Sequence, residues 1–212
     1  MSAVLPSLAG HRQRSALERR QFIGGSDARI IMGNDEAALV HLWREKRGEA
    51  EPEDLSGNLI VQLGLVTEAL NRYWYERNTG QTVECVQHRL RHPVLRWMGA
   101  TLDGIVAGSG TVFEAKFMLP WSFSEEAAAE KHMAQLQHNM WVTNARVAAL
   151  SVITGGGKWV EISISGRPAL PAPSVDRGEE VLALRGERRA ASAIRRRSPA
   201  GPHRGRADRR HK

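Results

Sequence analysis

Asp103-Gly-Ile-Val-Ala-Gly-Ser-Gly-Thr-Val-Phe-Glu-Ala-Lys116 reads as a β-hairpin. The residues around its start, 100–106 (Ala-Thr-Leu-Asp-Gly-Ile-Val), are apolar and β-prone. Gly108-Ser109-Gly110 is turn chemistry, and 111–116 form a second strand. Side chains alternate faces along a strand, so Glu114 and Lys116 point one way and Ala115 the other. A turn at 107–110 brings Asp103 back toward Glu114, which puts two carboxylates and an ammonium on one face.

That grouping has a chemical use. Cleaving a phosphodiester calls for a hard cation to neutralise the phosphate and acidify an attacking water, and carboxylate oxygens are the ligands Mg²⁺ prefers. A neighbouring lysine positions or deprotonates that water and offsets charge in the transition state. A solvated strand end with a chance salt bridge is the more ordinary reading of these three residues in isolation. The rest of the chain decides between the two.

The 212 residues fit one domain with a tail and suffice for a sizeable core. No run approaches the roughly 18 apolar residues of a membrane span. Residues 1–10 lack the charged and apolar regions of a signal peptide. The single Cys85 excludes a disulfide framework and a Cys-based metal site within one chain. Cytosolic residence is the expectation that follows. The net charge of +7 is misleading taken whole. Residues 166–212 hold thirteen Lys/Arg against five acids, whereas residues 1–165 hold 17 against 18. The high pI belongs to the tail and gives no argument for DNA binding by the body.

Along the chain, residues 1–10 are expected to be disordered, and 11–20 suit a short basic helix. Phe22-Ile-Gly-Gly-Ser-Asp-Ala-Arg-Ile-Ile-Met-Gly33 breaks at Gly24-Gly25 and predicts a short helix over 27–32, with Ser26 and Asp27 as caps. Such a turn seats a phosphate, though simple capping explains it as well. Residues 36–47 predict an amphipathic helix, and 49–57 an acidic loop. The longest helix falls over 58–78, with Leu59, Leu63, Val66, Leu70, Tyr73 and Trp74 at helical spacing and Trp74 assigned to the core. Glu68 sits mid-helix, either exposed or aimed at the carboxylates. Residues 82–86 and 89–91 are strand candidates, and 124–141 predict a helix capped by Ser124. Residues 147–154 and 158–164 predict two more strands. Their joint, Gly155-Gly-Gly-Lys158, is a hairpin turn and not a P-loop, because Trp159 stands where Ser or Thr would bind magnesium. From about Gly166 the chain turns Pro- and Arg-rich and cannot bury much. A residual helix over 178–194 is compatible with its residues.

Six short pieces occur in order: Phe-Ile-Gly-Gly-Ser-Asp-Ala (22–28), Leu-Trp-x-x-Lys-x-Gly (42–48), Gly64-x-x-x-Glu68, Ala-Thr-Leu-Asp-Gly (100–104), Glu-Ala-Lys (114–116) and Met-Ala-Gln-Leu-Gln-His-Asn-Met-Trp-Val-Thr (133–143). Together they resemble the YqaJ-like viral recombinase family, relatives of phage lambda exonuclease within the PD-(D/E)xK nuclease superfamily. The resemblance implies an α/β (α+β mixed), restriction-endonuclease-like core, with a central mixed sheet flanked by helices over residues 11–165. It implies magnesium-dependent 5′-to-3′ digestion of double-stranded DNA ends, with Mn²⁺ able to substitute. Asp103, Glu114 and the Ala115 carbonyl would hold Mg²⁺, with Glu68 on the same or a second ion. Lys116 and Gln135 would position the water, and Arg19 and Ser26 would bind the 5′-phosphate. A single-strand annealing protein and a homotrimer are the implied partners, with no membrane. Rival readings are an endonuclease with the same site, or a catalytically dead DNA-binding module acting through its basic tail. The pattern stops after Ile164, where such relatives continue with a further amphipathic helix on the sheet.

Overall fold

The computed structural model describes residues 19–166. The expected disorder of 1–10, most of the helix over 11–20, and the basic tail with its residual helix lie outside those residues. Among the elements that lie wholly within the described residues, three helices come first: α1 (Gly25–Ile31), α2 (Glu36–Arg47) and α3 (Leu59–Thr79). The strands β1 (Val83–Glu84), β2 (Arg89–Arg91), β3 (Gly99–Thr101), β4 (Gly104–Val106) and β5 (Val112–Met118) follow. A 3₁₀ turn at Pro120–Ser122 leads to α4 (Glu125–Thr143), then β6 (Val147–Thr154) and β7 (Trp159–Ser165).

The main sheet has the order β1-β4-β5-β6-β7 and is mixed. Only β5 and β6 run parallel, with Glu114 opposite Leu150 and Lys116 opposite Val152. Parallel neighbours need a long crossover, and α4 supplies it. β6 and β7 are antiparallel, joined through Gly155–Gly157, with Gly157 at φ 78. That is the hairpin expected of the glycine run. β2 and β3 form a separate antiparallel pair.

The two faces of the sheet are covered by different helices. Val112, Met118, Leu150 and Val152 pack with Ala128, Leu136 and Met140 of α4. Phe113 and Ala149, on the opposite face, pack with Tyr75 of α3. A third cluster, Ile23, Ile31 and Leu42, fastens α1 to α2. Among the described residues, no helix is long and apolar enough to cross a membrane.

The structure corrects the local reading in three places. The strand expected over 100–106 is broken in two: β3 pairs with β2, and β4 pairs with β5 at Gly104↔Phe113 and Ile105↔Val112. The break falls at Leu102-Asp103: the Leu102 N–H still donates to His88 O at 3.0 Å, in register with the β2–β3 pair, and the chain then passes to the main sheet at Gly104. Gly104 is needed there, because a Cβ would collide with the Val83 side chain. Second, α1 starts earlier than expected, and its cap is Gly24 rather than Ser26 or Asp27. The Asp27 carboxylate reaches back to accept the Gly24 N–H at 2.8 Å, which frees Ser26.

Third, α3 is rotated from the amphipathic reading. Leu59 and Val66 are 68% and 71% exposed, and Leu70, Tyr73 and Trp74 are also exposed, so Trp74 is not core. The buried residues are Asn71 and Tyr75. Asn71 Nδ2 donates to Ser151 O at 2.9 Å and Lys116 O at 3.1 Å, while Ser151 Oγ donates to Asn71 Oδ1 at 2.6 Å. Leaving those groups unpaired under a helix would cost more than exposing a leucine face.

Candidate active site

The hairpin and α4 meet over β5. Glu114 is 2% exposed, and both of its oxygens are engaged. Oε1 accepts from Lys116 Nζ at 2.5 Å and from Gln135 Nε2; Oε2 accepts from Asn139 Nδ2 at 3.1 Å. Asp103 Oδ2 accepts the Ala115 N–H at 2.9 Å. The N–H and C=O of one residue leave a strand on the same side, so the Ala115 carbonyl faces the Asp103 side as well. Asp103, Glu114, Lys116 and Gln135, named from sequence, are therefore brought together.

The donors reach Glu114 because of helix periodicity and one glycine. Ser124 Oγ caps α4 by accepting the Ala127 N–H at 3.0 Å, and positions 132, 135 and 139 fall on one face. α1 crosses that face at Gly25. A Cβ there would run into Asn139 Oδ1 and come within 3.0 Å of Gln135 Cγ. Gly25 thus lets α1 lie directly on the two amides that hold Glu114.

Charge is concentrated in this cleft. Burial raises the Asp103 pKa to about 7, with the Glu114 charge adding to it, Lys116 opposing it and Glu68 contributing further. Burial alone would lower the Lys116 pKa, but Glu114 and Asp103 outweigh it, so the ammonium titrates above its ordinary value. Burial, with Lys116, Lys131 and Arg29 nearby, lowers the His132 pKa to about 3. His132 is therefore a neutral ring, and its Nδ1 is buried without a hydrogen-bond partner.

Two carboxylates crowded into a poorly hydrated cleft, one with a raised proton affinity, suit a hard divalent cation. Among the described residues, no three His, Cys, Asp or Glu side chains converge as a closed metal cage. Mg²⁺ does not need one. It is commonly held by one or two carboxylates, the remaining positions going to water and substrate phosphate. Asp103, Glu114 and the Ala115 carbonyl fit that pattern, and Mn²⁺ takes the same ligands.

Glu68 is not part of the contact set. Its Oε1 accepts from Gln87 Nε2 at 2.7 Å, and only its charge reaches Asp103. Arg19 and Ser26 are adjacent, with Arg19 Nη2 3.4 Å from Ser26 Oγ and 3.8 Å from Asp27 Oδ1. Their framework rests on Lys46, whose fully buried ammonium donates to Arg19 O and Phe22 O, each at 2.8 Å, and to Asp27 Oδ2 at 2.6 Å. Sequence reasoning gave no role to Lys46 or Asn139, and it read Gly25 only as part of a chain break before a helix. For Asn139 a signal existed, since it lies four residues after Gln135 on a helix. Lys46 stood in a quoted motif with no partner visible. The close approach at Gly25 carried no signal, because the residues it admits come from α4.

The YqaJ-like viral recombinase domain matches residues 16–146. The protein YqaJ of Bacillus subtilis (strain 168) is 31% identical over 155 residues, which cover 70% of this chain and 48% of that protein. The chain thus spans about half the length of this curated relative. An alkaline exonuclease from Laribacter hongkongensis has a similar fold, with TM-score 0.67, 18% identity, and coverage of 86% of this chain and 99% of that one. A phage-related exonuclease from Haemophilus somnus 129PT gives TM-score 0.59 and 12% identity over 85% of this chain and 99% of that one. At those identities the likeness speaks for the fold, a restriction-endonuclease-like mixed sheet flanked by helices, as expected.

Proposed function

The chain belongs to the YqaJ-like viral recombinase domain family, and from that premise we propose that it is a divalent-metal-dependent deoxyribonuclease that digests double-stranded DNA from its 5′ ends. The observation that carries this reading is the convergence of Asp103, Glu114, Lys116 and Gln135 in one cleft. The two similar folds named as exonucleases support it.

Asp103, Glu114 and the Ala115 carbonyl would hold the cation, with Glu68 contributing through its charge or after leaving Gln87. A cation held there supplies charge neutralisation at the phosphate and a more acidic attacking water. Lys116, with its pKa held up, is an ammonium at neutral pH. It therefore acts as a donor that orients water and offsets developing negative charge, rather than as a base. The Gln135 amide, fixed at Glu114, is the second orienting group. Asn139 keeps the Glu114 carboxylate from rotating. Arg19 and Ser26 offer a guanidinium and a hydroxyl side by side to a terminal 5′-phosphate. A single strand left by this digestion is what an annealing protein would take up, and copies of the chain would assemble as a homo-oligomer.

The test is a magnesium titration on linear and circular duplexes of one sequence, with the linear ends carrying 5′-phosphate or 5′-hydroxyl. Loss of the linear form only, faster with 5′-phosphate, is expected. Mn²⁺ should replace magnesium. Nicking of circles would make the chain an endonuclease, and no cleavage at any metal concentration would leave a DNA-binding module.

A further inference from the structure

Arg29 lies in the last turn of α1, on the surface. It sits three residues after Ser26 and four after Gly25, so on the helix surface it neighbours both, beside the point where Gly25 meets α4. Where Gly25 touches Gln135 and Asn139, Arg29 stands one turn further along α1. Its charge acts on both the Lys116 ammonium and the His132 ring. The Glu68 charge reaches Asp103, and the Arg29 charge reaches Lys116.

Other arginines of this region are committed. Arg19 approaches Asp27, Arg20 pairs with Glu51 at 2.8 Å, and Arg47 pairs with Glu49 at 3.0 Å. Arg29 has no carboxylate, carbonyl or ring partner among the described residues. Lys116 is itself a cation and His132 is neutral, so among the described residues no ion pair balances the Arg29 charge. An anion entering between Arg29 and Lys116 would. A guanidinium presents a planar fork that matches two phosphate oxygens.

We propose that Arg29 is a nucleic-acid contact of this cleft, holding the internal backbone phosphodiester next to the one being cut, between Ser26 and Lys116. This rests on the nuclease reading above. Ser26 and Arg29 then form a row along α1 that leads a strand from its end toward the carboxylates. The contact is with phosphate alone, so it carries no base preference.

The full chain is tested in two forms. Binding is measured with the cleavage-deficient Asp103→Asn chain on a 5′-phosphorylated linear duplex over a range of salt concentrations. Adding Arg29→Met should weaken binding on the order of tenfold and flatten the plot of log affinity against log salt by about one phosphate contact. Arg29→Lys should restore the slope but not the full affinity. In the otherwise native chain, Arg29→Met should raise KM for DNA much more than it lowers kcat. Arg29 is exposed, so thermal melting should be unchanged and should separate this loss from unfolding. Unchanged affinity and salt slope in Arg29→Met would overturn the assignment. So would intact affinity with a shifted pH–rate profile, since Arg29 would then act through Lys116. A native chain that neither binds nor cuts duplex DNA would instead overturn the nuclease reading on which the assignment stands.

Discussion

α3 and α4 lie on opposite faces of one sheet, and each turns polar side chains toward it. α4 turns His132, Gln137, His138 and Asn139 inward beside Leu136 and Met140. α3 turns Asn71 and Tyr75 inward and leaves Leu59, Val66 and Leu70 outside. On the α4 side, most of the inward polar groups have a stated partner. Asn139 bonds Glu114, His138 Nε2 lies 2.8 Å from Gly99 O, and Gln137 Nε2 donates to Ser165 O at 2.8 Å. On the α3 side, one asparagine satisfies two carbonyls and a hydroxyl across β5 and β6. The inner face of each helix is set by which polar groups of the sheet need partners. What differs is the purpose: α4 serves a charged cleft, whereas α3 serves the sheet itself.

The sharpest break of that contrast is on the α4 side. Glu114→Gln, Asp103→Asn and Lys116→Ala should each lower cleavage on the order of a thousandfold or more while melting cooperatively. Native rates in any of them at saturating magnesium would remove the site.

On the α3 side the loss should be of stability instead. Asn71→Leu strands two carbonyls and the Ser151 hydroxyl and should cost about 2–4 kcal/mol in urea unfolding. Leu70→Ala should stay within about 0.5 kcal/mol, because Leu70 is half exposed. A larger cost at Leu70 would mean that the outer face of α3 is covered in solution.

A pH series separates the sides more finely. The folded-state pKa of Asp103, near 7, lies above its unfolded value, so the folded metal-free protein keeps a proton that the unfolded chain releases. This group's contribution to stability therefore falls as pH rises between about 4 and 7. The lowered pKa of His132 works in the opposite sense over part of that range, its contribution rising as pH rises toward about 6.5. The difference between two proteins isolates Asp103. In EDTA, the melting temperature of Asp103→Asn should gain on the native chain as pH rises from about 5 to 8. A gap that stays constant would show that the cleft does not hold this carboxyl protonated. The smallest effect is expected at Glu68→Gln, a few-fold increase in the magnesium needed for half-maximal rate, since Glu68 reaches Asp103 only through its charge. No change there would assign Glu68 to its Gln87 hydrogen bond alone.

Elements whose signals are local were legible. The helix over 36–47 and the strand over 147–154 have the expected bounds, because the first carries an Asp35 cap and a Gly48 stop and the second an apolar run with a hairpin glycine behind it. The Glu114–Lys116 pair was legible from strand alternation. Contacts made across the fold were not. Leu102-Asp103 looked continuous with its neighbours because the strands that take up its two halves, β2 on one side and β1 and β5 on the other, are contributed from elsewhere. Lys46 is a charged residue on an amphipathic helix until two carbonyls and Asp27 close around it. The orientation of α3 depended on Asn71, and a single asparagine among leucines gives no period to detect.

Gly25 joins two operations that are usually thought of separately. The segment that would grip the strand's end and the carboxylate where the strand would be cut are spaced by a helix crossing to which α1 contributes no side chain. The length of the stride from grip to cut is then a property of backbone contact, much as the throw of a ratchet is set by its pawl and not by the spring. A methyl group at this position would press on the Asn139 and Gln135 amides and so set the grip and the blade out of step.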